Sequence, residues 1–213
     1  MKERAVRFPC GELWLEGVLA LPEGHSRFPA VIVCHPHPLY GGSMDNNVVN
    51  SLCEALVRAS LVAFKFNFRG VGRSQGTHSR GRAEPEDVKA AMSFISDVAE
   101  VDSANIGLAG YSAGAGYGCP VGTSDSRIKA LAAVSPPLAV FDFETLKECR
   151  KPKFLISGER DDFTPVSQFL EFCRGLAEPK ECHSIEAADH FWQGYEKTLA
   201  EKVTVFFTGA LSK

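Results

Sequence analysis

Gly110-Tyr111-Ser112-Ala113-Gly114 follows the apolar run Ile106-Gly107-Leu108-Ala109 and opens into a stretch of small residues. A serine framed by glycines at a strand-to-helix turn is a nucleophile elbow. The sharp turn strains the serine backbone and lifts its hydroxyl clear of the sheet end. Side chains beside it would collide with neighbouring elements, so glycine is required there. The helix that follows favours negative charge at its N-terminus. The chemistry this points to is acyl transfer by a serine hydroxyl. Such a hydroxyl needs a base, and the base needs an acid to orient it. Of six histidines, His190 stands between the last strand-like run and the last helical one, in Ala187-Ala188-Asp189-His190-Phe191. The bland alternative is a surface histidine that caps the final helix. For the acid, Asp161 and Asp162 follow the apolar run Phe154-Leu155-Ile156-Ser157. Adjacent residues rarely point the same way. One should meet His190 while the other caps a helix near Pro165 or stays solvated.

Other chemistry-bearing residues read less sharply. His35 and His37 could form half of a metal site, but Pro36 and Pro38 make their backbone irregular, and no metal is expected. Asn67-Phe68-Arg69-Gly70 reads as architecture, with glycine for a tight turn and arginine to satisfy carbonyls or a carboxylate. Gly70-x-Gly72 lacks the third glycine of a dinucleotide loop, so no cofactor is expected. Cys119 and the other six cysteines have wide spacings and no CxxC, which fits reduced, mostly buried thiols in a cytoplasmic protein.

The elements that must position these residues alternate along the chain. Two alternating runs between Arg4 and Leu21 suggest an antiparallel hairpin turning at Pro9-Cys10-Gly11. Ala30–Cys34, Leu61–Phe66, Ile106–Ala109, Ala130–Val134, Phe154–Ser157 and Cys182–Glu186 read as strands, several of them continuous apolar runs suited to burial on both faces. Helical stripes fall between them: Val48, Leu52 and Leu56; Val88, Met92 and Ile95; Val166, Phe169 and Cys173; Tyr195, Leu199, Val203 and Phe207. A hairpin followed by strand–helix units implies a mainly parallel, doubly wound α/β sheet. In such sheets chemistry sits at the carboxyl ends of the strands. Residues 1–213 are expected to form a single domain, because no linker or repeat divides them.

Composition excludes several classes. The chain has 213 residues, 45% of them hydrophobic and 23% charged, which is enough to bury a core without staples. A net charge of −3 offers no basic field for nucleic acid. No run approaches the length of a membrane span. The first residues carry charge but no apolar region behind it, unlike a secretory signal. The sequence leaves the oligomeric state open, a homodimer being one option.

Two further segments extend the pattern: Cys34-His35-Pro36-His37-Pro38-Leu39-Tyr40-Gly41-Gly42-Ser43-Met44-Asp45-Asn46-Asn47 and Asn67-Phe68-Arg69-Gly70-Val71-Gly72-Arg73-Ser74-Gln75-Gly76. With the elbow and the order serine, aspartate, histidine, they resemble the α/β-hydrolase superfamily. The resemblance narrows to small lid-less serine hydrolases near the dienelactone-hydrolase and acyl-peptidase-like branch. It covers essentially the whole chain. It implies an α/β-hydrolase fold and a triad of Ser112, Asp161 and His190, since the acid of the family usually lies three residues after the glycine that ends the seventh strand, here Gly158. It also implies an oxyanion hole made by the Ala113 N–H and a donor from the loop after the third strand. Pro36 and Pro38 have no N–H, which leaves His37, Leu39 and Tyr40, and family position favours His37. Dienelactone hydrolases use a cysteine nucleophile, so Ser112 speaks against that particular reaction. The implied substrate is a small acyl ester, with a thioester or a short peptide or amide as alternatives; a non-catalytic member of the fold would be expected to lack part of the triad. Only about 18 residues separate the strand ending near Ser135 from the one beginning at Phe154, too few for a lid. Tyr40, Pro137, Leu138, Phe141, Phe143, Phe191 and Trp192 are expected to line a shallow apolar pocket.

Overall fold

The computed structural model describes residues 2–24 and 26–211. Among these residues eight strands form one sheet: β1 (Lys2–Cys10), β2 (Leu13–Leu21), β3 (Phe28–Cys34), β4 (Val62–Phe66), β5 (Val101–Tyr111), β6 (Ile128–Val134), β7 (Lys153–Arg160) and β8 (Lys180–Asp189). Their order across the sheet is β1-β2-β4-β3-β5-β6-β7-β8. Only the pairings of β2 with β1 and with β4 are antiparallel. The hairpin turn differs from the sequence expectation. Pro9 and Cys10 remain in β1, Pro9 opposite Trp14, and the turn is Gly11-Glu12. Proline survives there because β1 is an edge strand, where a missing N–H can face solvent.

Among the described residues six α-helices cover the sheet: α1 (Asn47–Arg58), α2 (Glu84–Ser96), α3 (Ala113–Ser124), α4 (Glu144–Glu148), α5 (Val166–Arg174) and α6 (Glu196–Leu211). Apolar residues of α1 and α6 pack on one face with Val31, Val33 and Ala109. Those of α2, α3 and α5 pack on the other with Ile32, Phe64 and Leu108. Neighbouring strand residues therefore bury alternately into two cores, which is why β3 and β4 are apolar throughout. The motif Asn67–Gly70 is structural. Asn67 accepts from the Met44 N–H at 2.8 Å and donates to Glu16 at 2.7 Å, while the Arg69 guanidinium holds the buried Asp87 at 2.6 Å.

Between β6 and β7 the chain holds only a short loop and α4, so no lid domain covers the carboxyl edge of the sheet. The loops that end β3, β5, β6, β7 and β8 all open on that edge.

Candidate active site

Ser112 has φ 54 and ψ −123, a strained conformation between the end of β5 and the start of α3. The flanking glycines have a steric cause. A Cβ on Gly110 would lie 2.4 Å from the backbone of Ala115, and one on Gly114 would lie 2.3 Å from the carbonyl oxygen of Cys34. Any side chain at either position would push the turn away from the helix or from β3.

The base reading of His190 and the acid reading of Asp161 meet at this serine. His190 Nε2 lies 3.0 Å from Ser112 Oγ. On the other side of the ring, Nδ1 lies 3.0 and 2.9 Å from the two carboxylate oxygens of Asp161. An ionised carboxylate can only accept, so Nδ1 carries the proton and Nε2 is left to accept from the serine hydroxyl. Asp161 also accepts from the N–H groups of Phe163 and Thr164 at 2.9 and 3.0 Å, and from the Ser157 hydroxyl at 3.3 Å. Burial pushes its carboxyl up, but the hydrogen bond and charge of His190, the Ser135 hydroxyl and the Thr164 N–H outweigh that and hold it below the ordinary carboxylate range. Asp162 is exposed and makes no such contacts. The turn after β7 thus separates the two aspartates.

The loop after β3 separates the three candidate donors in the same way. The Leu39 N–H donates to His37 Nδ1 at 3.2 Å, and the Tyr40 N–H donates to the His37 carbonyl at 3.1 Å. The His37 N–H and the Ala113 N–H have no acceptor among the described residues, and both residues border the cavity above Ser112. His35 is turned into the protein. Its Nε2 accepts from the Phe68 N–H at 3.1 Å and its Nδ1 donates to the Pro36 carbonyl. Burial lowers its pKa to about 4, so it is a neutral brace between β3 and the loop after β4.

The cavity above Ser112 holds about 280 Å³, and Tyr40, Pro137, Phe141 and Phe191 stand in its walls. Three expected residues are elsewhere. Trp192 is fully buried and donates from Nε1 to Ser135 Oγ at 3.0 Å, so it is packing behind the site. Leu138 turns towards the core cluster, and Phe143 is buried beside Phe172. Sequence reading missed Val140 and Phe163, which take those places; the Phe163 ring centroid lies 4.5 Å from that of His190. No periodic pattern in these loops could have indicated them. A larger cavity of about 720 Å³ lies at the opposite edge of the sheet, lined by Leu21, Pro22 and Phe28 among others, with no serine–histidine pair. Among the described residues no group of histidines, cysteines and carboxylates could hold a metal ion. No helix there is long and apolar enough to cross a membrane.

A doubly wound sheet with a serine elbow, a histidine and a buried aspartate at its carboxyl edge defines an α/β-hydrolase. Residues 30–205 match the alpha/beta hydrolase domain family, and the chain belongs to it. It is similar to an alpha-beta serine hydrolase homologue from Coxiella burnetii: 32% identity, 96% of this chain and 97% of the other covered, TM-score 0.85. A Xanthomonas campestris serine hydrolase without a lid aligns at 25% identity over 100% of this chain and 97% of its own, with a TM-score of 0.86. An uncharacterized protein of Rickettsia prowazekii is 31% identical over 78% of this chain and 72% of its own length.

Proposed function

We propose that the protein is a serine hydrolase that cleaves small carboxylic esters through an acyl-enzyme, with Ser112, His190 and Asp161 as its triad. One observation carries this reading. Ser112 Oγ sits 3.0 Å from an imidazole nitrogen whose opposite nitrogen is held by a buried carboxylate, in a cavity bordered by two backbone N–H groups without acceptors. In the first half-reaction Ser112 Oγ attacks the ester carbonyl carbon as His190 Nε2 takes its proton. The carbonyl oxygen becomes an oxyanion, received by the N–H groups of Ala113 and His37. The carbon–oxygen bond to the alcohol then breaks, and His190 returns the proton to the departing oxygen. Water attacks the acyl-enzyme with the same base, releasing the acid and restoring Ser112. Asp161 stays ionised throughout and orients the ring. The similarity to the Coxiella burnetii serine hydrolase homologue supports the class. The apolar walls and small volume of the cavity support a short acyl group over a long one.

The test is labelling with a fluorophosphonate, followed by mapping of the adduct. The expected product is a single adduct on Ser112, with turnover of 4-nitrophenyl acetate reduced at least about 10³-fold in Ser112→Ala, because triad members act as a unit. An unlabelled protein, or a fully active Ser112→Ala variant, would overturn the reading.

A further inference from the structure

A second cavity of about 590 Å³ adjoins the one above Ser112, and the two share His37, Tyr40, Val140 and Phe141. Arg80 and Arg82 also line it. Arg4, Arg58, Arg69 and Arg127 are each held by a carboxylate. Arg80 and Arg82 are exposed and have no such partner among the described residues. Asp142 borders the same cavity, with its Oδ1 accepting from the Glu144 N–H at 2.8 Å. Two guanidiniums and one carboxylate leave the lining positive.

The loop that carries the arginines is fixed from beneath. Glu84 is fully buried and accepts from the Ser79 N–H at 2.7 Å, the Ser79 hydroxyl at 2.6 Å and the Gly81 N–H at 2.7 Å. The Ser79 hydroxyl oxygen accepts in turn from the Ala83 N–H at 2.7 Å. Arg80 and Gly81 are consecutive left-handed residues, at φ 58 and φ 87. A non-glycine residue holds that conformation only where its surroundings over-determine it, a pattern common at ligand clamps. Here a buried carboxylate ties down the backbone on both sides of Arg80, and the guanidiniums are left free to meet something else.

The position of the second cavity says which part of a substrate would reach it; this step rests on the serine-hydrolase reading. The leaving alcohol must stay beside His190 to receive its proton. His190, Phe163 and Phe191 border the first cavity and are absent from the second. The acyl group therefore runs the other way, past Phe141 and Val140. We propose that Arg80 and Arg82 form an anion subsite for the far end of the acyl group, so that the favoured substrates are half-esters of short dicarboxylic acids. Guanidinium forks match a carboxylate in geometry as well as in charge.

The test compares monoethyl glutarate and monoethyl adipate with ethyl pentanoate, read by alkali uptake, in the intact protein and in an Arg80→Asn/Arg82→Gln variant. Asparagine tolerates the left-handed region, and both positions are exposed, so the variant should fold. The ratio of kcat/KM for half-ester to neutral ester should exceed unity in the parent. It should fall at least about tenfold in the variant, the scale of one charge-assisted hydrogen bond. Neutral esters hydrolysed with no such preference, or a ratio unmoved by the variant, would overturn the subsite and leave the hydrolase reading standing. A protein inert towards every ester and towards fluorophosphonate would overturn the hydrolase reading. In that case calorimetric titration with adipate still decides the subsite: binding lost in the variant supports it, and no binding to the parent sinks it.

Discussion

The Tyr111 hydroxyl donates a hydrogen bond to the backbone carbonyl of His190 at 2.8 Å, and the two rings lie 5.8 Å apart. Tyr111 ends β5, immediately before Ser112. His190 follows β8, the eighth and last strand of the sheet order. One buried phenol therefore ties the segment that carries the serine to the segment that carries the histidine, across the width of two intervening strands. Burial pushes the Tyr111 hydroxyl well above its ordinary pKa, with the Asp161 charge adding to it, so it remains a donor at any working pH.

Tyr111→Phe should lower both stability and turnover. The His190 carbonyl loses its partner, at a cost of about 1–3 kcal/mol, and at this chain length each kcal/mol moves Tm by about 2–4 °C. Scanning calorimetry and kcat for 4-nitrophenyl acetate would measure the two effects. A variant with parental Tm and kcat would mean that other contacts hold His190.

Asp161→Asn should reduce kcat by about 10²–10⁴-fold, because an amide can donate to His190 and set the wrong tautomer. Asp162→Asn should cost far less, because its exposed side chain meets neither Ser112 nor His190. Steady-state rates of the two single variants separate them, and the reverse order would show that the turn after β7 presents the other carboxylate.

Acid should weaken the fold through Glu84 and Asp161. Burial raises the Glu84 carboxyl, but its hydrogen bonds to Ser79 and Gly81 outweigh that and leave it depressed; Asp161 is depressed as well. A depressed folded pKa contributes stability that is present above the unfolded value, about 4 for these groups, and is lost as pH falls through the folded value. Tm should therefore hold level down to about pH 5 and drop below about pH 4. In Glu84→Gln the whole curve should lie lower and its acid limb should be shallower. An acid limb identical to the parent's would remove Glu84 from this account.

Neutral 4-nitrophenyl esters should be turned over best from acetyl to butyryl and fall off beyond about six carbons. Each buried CH₂ contributes about 0.8 kcal/mol only while an apolar wall is there to receive it. The first cavity is small, and beyond Phe141 the lining turns polar at Arg80 and Arg82. Phe141→Ala should move the optimum to longer chains. A parent optimum at decanoate would mean a deep tunnel in place of these walls.

Much of the fold and the heart of the site were legible in the linear chain because they rest on local rules. Apolar runs of β3 and β4, four-residue spacing in α1 and α6, and the two glycines around Ser112 are patterns that strand pleat, helix pitch and steric exclusion impose within a few residues. The short interval between β6 and β7 set the absence of a lid in the same way. Between neighbours inside loops, where the resemblance expressed only a preference, the tertiary structure supplied the physical reason. Asp161 faces His190 because the turn after β7 gives it the N–H groups of Phe163 and Thr164, while Asp162 turns to solvent. The His37 N–H is left open because a tight turn consumes those of Leu39 and Tyr40. Val140 and Phe163 line the cavity where Leu138, Phe143 and Trp192 are expected from the sequence, and the backbone on both sides of Arg80 is tied down by Glu84. Loops have no period to set which way a side chain points; contacts from distant parts of the chain set it instead.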